Sequence, residues 1–248
     1  MISRRLKLIV SYDGGAFAGW QSQRNGNTIQ DRIEEAFKKL CGSRLAVIGA
    51  GRTDAGVHAL GQCAHVDVPK KNFPGSRWLR ALNGVLPPTI RILRAQFVSS
   101  SFHARFSAVG KVYRYRIVNS AIVSPFERGR AWHVPTTLDR GLLEQAAQLF
   151  HGEHDFASFA ARRGGQPECT TRTIDNLRFV SRGDVIELEF AASGFLYKMV
   201  RLISGTLVRC ALGKETLDSI RSRLQYPTRN SSRFVAPAEG LYLVRVKY

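Results

Sequence analysis

The chain has 248 residues, 44% of them hydrophobic and 23% charged, a balance that suits one large or two ordinary globular domains and excludes a disordered chain. No run approaches the roughly 18 apolar residues of a membrane span, and the start of the chain has no apolar signal-peptide core, so a cytoplasmic protein is expected. Lys and Arg number 37 against 19 Asp and Glu, a net charge of +18, and so basic a surface favours a polyanion such as nucleic acid.

Residues 4–12 alternate with period two, placing Leu6, Leu8 and Val10 on one side of a half-buried strand. Asp13-Gly14-Gly15 breaks it. The next stretch, Ala16-Phe-Ala-Gly-Trp-Gln21, carries two aromatics and an amide, suited to a planar base or to closing a core. Thr28 with Asp31 three residues on is a variant of the capping box. Ile33, Ala36, Phe37 and Leu40 then form a helical stripe that ends at Cys41-Gly42. Leu45-Ala-Val-Ile48 reads as a short strand, and residues 62–68 as another, ended by Pro69. Residues 76–82 predict a short helix and residues 90–98 a strand. The resulting order, strand, helix, strand, strand, helix, strand, is that of a ferredoxin-like split βαβ unit.

Between the second and third strands lies Gly49-Ala-Gly-Arg-Thr-Asp-Ala-Gly-Val-His58. Its three glycines permit sharp turns or close approach to a ligand. Arg52 and Asp54 are two residues apart and project to the same side of an extended segment. A carboxylate held beside a guanidinium suits a nucleophile or general base with a phosphate-seeking neighbour; an Asx-turn in a surface loop accounts for the same residues. A P-loop is excluded because Val57-His58 stands where Lys-Ser/Thr is needed. A dinucleotide fingerprint is excluded because Asp54 occupies the place of its third glycine.

The second half begins after Ser101-Phe-His-Ala-Arg-Phe-Ser107. Residues 111–117 alternate strictly, with Val112, Arg114 and Arg116 facing one way and Lys111, Tyr113, Tyr115 and Ile117 the other. Cations beside aromatics on a strand suit stacked bases and phosphates, or an ordinary sheet face with snorkelling cations. Helices are predicted over residues 138–150, 197–212 and 217–224, the second the most buried of the chain and carrying Lys198 and Arg201 near its start. Strands are predicted over 174–180, 185–190 and 241–246, and a mobile loop over 160–171. Two similar α/β domains meeting near residue 107 follow, over 1–107 and 108–248.

Cys41, Cys63, Cys169 and Cys210 form no CxxC pair, so neither a zinc site nor a redox motif is expected. His151 and His154 have no third ligand nearby. A metal-dependent nuclease would need clustered carboxylates that the chain lacks.

Eight blocks together resemble the bacterial tRNA pseudouridine synthase A (TruA) family, and they span nearly the whole chain. They are Tyr12-Asp-Gly14, Gly19-Trp-Gln21, Thr28-Ile-Gln30, Gly51-Arg-Thr-Asp-Ala-Gly-Val-His58, Phe102-His-Ala-Arg-Phe-Ser107, Lys111-Val-Tyr-Arg-Tyr115, Phe195-Leu-Tyr-Lys-Met-Val-Arg201 and Ala236-Pro-Ala-Glu-Gly-Leu241. Ser232-Arg-Phe-Val235 departs from the family pattern in lacking small residues.

The resemblance implies an α+β fold of two RRM-like domains that share a mixed central sheet, with the active cleft between them, in a homodimer. It implies isomerisation of uridine at positions thirty-eight, thirty-nine and/or forty in the anticodon stem-loop of tRNA, with no cofactor and no metal. Asp54 matches the catalytic aspartate, Tyr113 the active-site tyrosine and Arg201 the basic residue paired with the aspartate. Arg52 matches the arginine that holds the target nucleotide out of its stem. Tyr113, Gln21, His58 and Lys198 complete the expected substrate-binding set. A non-catalytic basic RNA-binding protein with paired RRM-like domains is the alternative, though neither half shows an RRM signature and a binder has no use for Asp54.

Overall fold

The computed structural model describes residues 3–24, 26–69, 73–161, 169–228 and 234–248. The chain divides into two units, one of Met1–Val109 with Tyr242–Tyr248 and one of Gly110–Leu241. The final residues, expected in the second domain, therefore cluster with the first.

The first unit runs β1 (Ser3–Tyr12), α1 (Ile29–Cys41), β2 (Ile48–Gly49), β3 (His58–Pro69), α2 (Gly75–Val85) and β4 (Ile90–Phe97). Antiparallel β1 lies between β4 and β3, and β2 pairs with β3 at Ile48↔His65. This 4-1-3-2 order is the split βαβ arrangement that the element order predicts. Leu6, Leu8 and Val10 are fully buried, as the alternation requires, and so are Ile33 and Phe37 of α1 and Leu82 of α2. Each such side chain contributes roughly 1.5–3 kcal/mol. The α1 cap forms as read: the Asp31 N–H donates to Thr28 Oγ1 at 3.2 Å and the Thr28 hydroxyl to Asp31 Oδ2 at 2.6 Å. Gly42 ends the helix at φ 78°, a left-handed position that glycine takes without steric cost.

The strand expected from Leu45 shrinks to Ile48–Gly49. Glu34 of α1 is the reason. Its buried carboxylate accepts the Val47 N–H at 3.0 Å and Arg44 Nε at 2.7 Å, so the segment's polar backbone is tied to the helix and not to a strand.

The second unit runs β5 (Gly110–Val118), β6 (Trp132–His133), α3 (Arg140–Gln148), β7 (Gly152–Asp155), β8 (Thr171–Arg182), β9 (Val185–Ala192), α4 (Met199–Ala211) and α5 (Leu217–Gln225). Its antiparallel strands follow the order β5-β9-β8-β7, with β6 parallel to β5. Helix α4 is buried along most of its length, as expected from its sequence. The last strand, β10 (Leu241–Lys247), pairs parallel with β3 through Tyr242↔His58 and Leu243↔Ala59. That pairing is what returns it to the first unit. The loop expected over 160–171 lies largely outside the described residues, as do residues 232 and 233 of the stretch that departs from the family pattern.

Arg114 and Arg116 on β5 do not stand open to phosphate. Arg114 lies 3.5 Å from Glu187 and 3.7 Å from Glu189, while Arg116 pairs with Glu127. Cross-strand carboxylates on β9 make this sheet face an ion-paired one.

Among the described residues, no helix is long and apolar enough to cross a membrane. Cys63 and Cys210 are buried, Cys41 is half-buried and Cys169 exposed, all as free thiols.

Candidate active site

Asp54 sits on a turn in which its carbonyl accepts the Val57 N–H at 3.2 Å and Gly56 takes φ 77°. A second loop, between β1 and α1, grips that turn from outside. The Trp20 N–H donates to the Thr53 carbonyl at 3.1 Å and the Gly56 N–H to the Phe17 carbonyl at 3.3 Å. The two loops approach so closely that only glycine fits at the crossing. Gly19 has φ 96°, and a Cβ there would lie 2.6 Å from the Thr53 carbonyl oxygen and 3.1 Å from the Asp54 carbonyl carbon.

Buried polar groups complete the clamp. A register shift between Val10 and Tyr12 sets Tyr12 opposite Ala59, and its hydroxyl meets Thr53 Oγ1 at 2.8 Å. On the other side of the turn, fully buried Gln62 donates to the Gly51 carbonyl at 2.8 Å. Asp54 itself is half-buried and Arg52 is exposed. Such a turn holds a carboxylate at one place, because both its flanks are bonded to the β1–α1 loop and the residues leading into it to β1 and β3.

Of the sequence-predicted residues, Arg52 and Gln21 are brought together: Arg52 Nε donates to Gln21 Oε1 at 3.2 Å. His58 is placed differently from the substrate-facing position its motif implies. It is 2% exposed and stacks on Tyr242 with 4.7 Å between ring centres. Its Nδ1 lies 3.1 Å from both the Gly14 N–H donor and Asp13 Oδ1. His58 thus joins the 13–15 turn to the start of β3.

The second unit holds Tyr113, Lys198 and Arg201. Tyr113 is 9% exposed and meets Phe195 edge-on at 5.1 Å. Lys198 caps α4 in the left-handed region at φ 58°, a conformation that costs a non-glycine residue about 1–3 kcal/mol and recurs at functional sites. Arg201, in the first turn of α4, donates from Nε to the Ala236 carbonyl at 2.8 Å, and its own carbonyl accepts the Ala236 N–H at 3.2 Å. The 236–241 segment, which makes a 3-10 turn over Ala238–Gly240, is thereby sewn to α4. It also accepts the Tyr115 hydroxyl at the Pro237 carbonyl, 2.7 Å away. Burial drives the Tyr115 phenol pKa well above its ordinary value, so Tyr115 is a neutral donor that holds the segment.

Sequence reasoning missed the clamp residues Tyr12, Thr53 and Gln62. A glutamine among the small and apolar residues 59–64 was the available cue for Gln62. Among the described residues no group of three or more His, Cys, Asp and Glu side chains could hold a metal. His151 and His154 each direct Nε2 at a backbone carbonyl, of Asp175 and His151 respectively.

A sequence profile of the family described as tRNA pseudouridine synthase matches residues 8–107 and 146–248. A protein of Akkermansia muciniphila named tRNA pseudouridine synthase A is 46% identical, covering 98% of this chain and 95% of that protein. Like-named proteins of Acetivibrio thermocellus and Ruminiclostridium cellulolyticum are 44% and 42% identical, each alignment covering 99% of this chain and 100% of the relative. The clamped Asp54 turn and the start of α4 both fall within the matched residues, and with identity at this level from end to end the chain belongs to the tRNA pseudouridine synthase A family.

Proposed function

We propose that Asp54 is the nucleophile with which this tRNA pseudouridine synthase isomerises uridine at positions thirty-eight, thirty-nine and/or forty of the anticodon stem-loop. The bond from N1 to C1′ breaks and one from C5 to C1′ forms, without water. A carboxylate that attacks C6 of the base or C1′ of the ribose supplies the covalent step such an isomerisation needs. The observation that carries this reading is the clamped turn, in which both flanks of Asp54 are bonded to the loop between β1 and α1. A carboxylate so placed is pre-organised before substrate arrives.

The other residues divide the remaining tasks. A uridine in a stem must be flipped out at a cost of a few kcal/mol, and Arg52 offsets this by holding the extruded nucleotide. Gln21 aims Arg52, and His58 acts at one remove by fixing the 13–15 turn. Tyr113 stacks on the uracil, and its hydroxyl passes on the C5 proton while N1, freed from C1′, gains one. Arg201 supplies the positive charge that the reaction at Asp54 uses, and Lys198 meets the RNA backbone. The enzyme works in the cytoplasm as a homodimer, without metal or cofactor.

The test is incubation of unmodified tRNA with purified protein in chelator, followed by mapping of pseudouridine at the three positions. Asp54→Asn is nearly isosteric and removes one negative charge from a polyanion site. It should bind tRNA as tightly as the parent or slightly more so, yet form essentially no pseudouridine in single turnover. A folded Asn variant that reacts near the parental rate would remove Asp54 as nucleophile. Loss of binding together with activity would make Asp54 a loop-building residue only.

A further inference from the structure

Phe106 lies outside the Asp54 turn and is 77% exposed, yet the loop that carries it is held by hydrogen bonds at several points. The Phe102 N–H donates to Ser99, the Ser107 N–H to the His103 carbonyl at 2.9 Å, and the His103 N–H to Ser107 Oγ at 3.0 Å. The Ala104 N–H donates to buried His65 at 3.1 Å, and the Tyr248 hydroxyl to the Ala104 carbonyl at 2.7 Å. Arg5 reaches the Ser100 and Phe102 carbonyls at 2.6 and 2.9 Å. The exposure of the ring therefore follows from a fixed backbone and not from a loose one.

The ring is also backed. His103 lies nearly flat against Phe106, with centres 4.3 Å apart and planes 25° from parallel. Its own orientation is set by Nδ1, which accepts the Arg105 and Phe106 N–H groups at 3.2 Å each. The Arg105 guanidinium lies 5.6 Å from the Phe106 ring centre. An aromatic face backed by a locked imidazole and flanked by a cation has the chemistry of a stacking platform for a nucleobase, since every base offers a π-face and a nearby phosphate.

We propose that Phe106 stacks on an unpaired base of the tRNA, at a place separate from the uridine that reacts. The inference rests on tRNA being the substrate. The Arg105 guanidinium beside the ring, on a chain of net charge +18, favours a polyanion as the occupant.

The experiment compares the parent with Phe106→Ala and Phe106→Trp, using an unmodified tRNA transcript at several salt concentrations. Phe106→Ala should stay folded and weaken binding by about five- to hundredfold, the effect of losing one base stack. Stacking neutralises no phosphate, so the slope of log affinity against log salt should stay parallel to the parent's. Single-turnover pseudouridine formation at saturating enzyme should be unchanged, which separates failure of the platform from failure of the Asp54 assignment. Phe106→Trp should keep parental affinity, and its added fluorescence should be quenched by tRNA. Binding by Phe106→Ala within twofold of the parent would overturn the proposal. So would a shallower salt slope, a lowered saturated rate with intact affinity, or a change in sedimentation that marks the ring as a contact between copies.

Discussion

Arg52 Nε donates to Oε1 of Gln21 across 3.2 Å, joining two residues that lie 31 positions apart. The contact is the outer end of a relay. Gln21 Nε2 donates to Gln30 Oε1 at 2.8 Å, and Gln30 Nε2 donates to Glu34 Oε1, also at 2.8 Å. Glu34 is buried and held by Arg44 and the Val47 N–H. The direction of an exposed guanidinium beside the candidate nucleophile is thus referred back to the packed helix α1.

Gln21→Leu cuts the relay at its outer end and leaves the Arg52 charge in place. One hydrogen bond of this kind is worth about 1–1.5 kcal/mol, so single-turnover pseudouridine formation should slow by about tenfold. The affinity for tRNA should stay within about twofold. An unchanged rate would show that the relay only stabilises the fold, and a circular dichroism melt would then carry the whole effect.

Gly19→Ala should cost more activity than stability. The new Cβ would collide with the Thr53 carbonyl at 2.6 Å in a backbone held at φ 96°, and relief of that clash displaces the Asp54 turn. Destabilisation of roughly 1–3 kcal/mol is expected, together with a fall in rate on the order of a hundredfold from misplacement. Gly26 supplies the control. It also has positive φ, but its Cβ would meet nothing within 4 Å, so Gly26→Ala should lower the melting temperature and leave the rate of the folded enzyme alone.

Tyr113→Phe keeps the edge-on contact with Phe195 and removes only the hydroxyl. If the hydroxyl moves the C5 proton, binding of tRNA should persist while the single-turnover rate falls by about a hundredfold or more. A Phe variant that matches the parent would restrict Tyr113 to stacking.

His65 gives the fold a pH dependence of its own. Burial, with Arg5 and His103 nearby, pushes its pKa down from 6.5 to about 4, and its Nδ1 accepts the Ala104 N–H, a bond that only the unprotonated nitrogen makes. The unfolded chain therefore binds the proton first, and this residue's contribution to stability falls as pH drops from about 6.5 towards 4, then levels off. His65→Asn retains an acceptor oxygen without the titration. Urea melts across that range should show a flatter loss of stability for the variant than for the parent, and parallel curves would exclude the assignment.

What the sequence by itself determined was local. Period-two burial of Leu6, Leu8 and Val10, the Thr28–Asp31 cap and the glycine stop at Gly42 each follow from residues within a few positions of one another. Local chemistry of this kind survives in almost any tertiary setting. The Asp54 motif was legible for the same reason, as a short run of turn-forming glycines around a carboxylate.

Only the tertiary structure decided what those residues meet. Glu34 reaches forward to Val47 and shortens an expected strand, and Glu127 and the carboxylates on β9 engage the arginines of β5 that looked available to phosphate. Strand β7, whose Gly152–Asp155 run has no apolar alternation, exists because β8 offers it an edge. Tyr242 packs on His58 and draws the end of the chain back to the first unit. In each case the partner is distant in the chain, and the energy that chooses the conformation comes from closing that long contact. The propensity of the segment itself carries no trace of it.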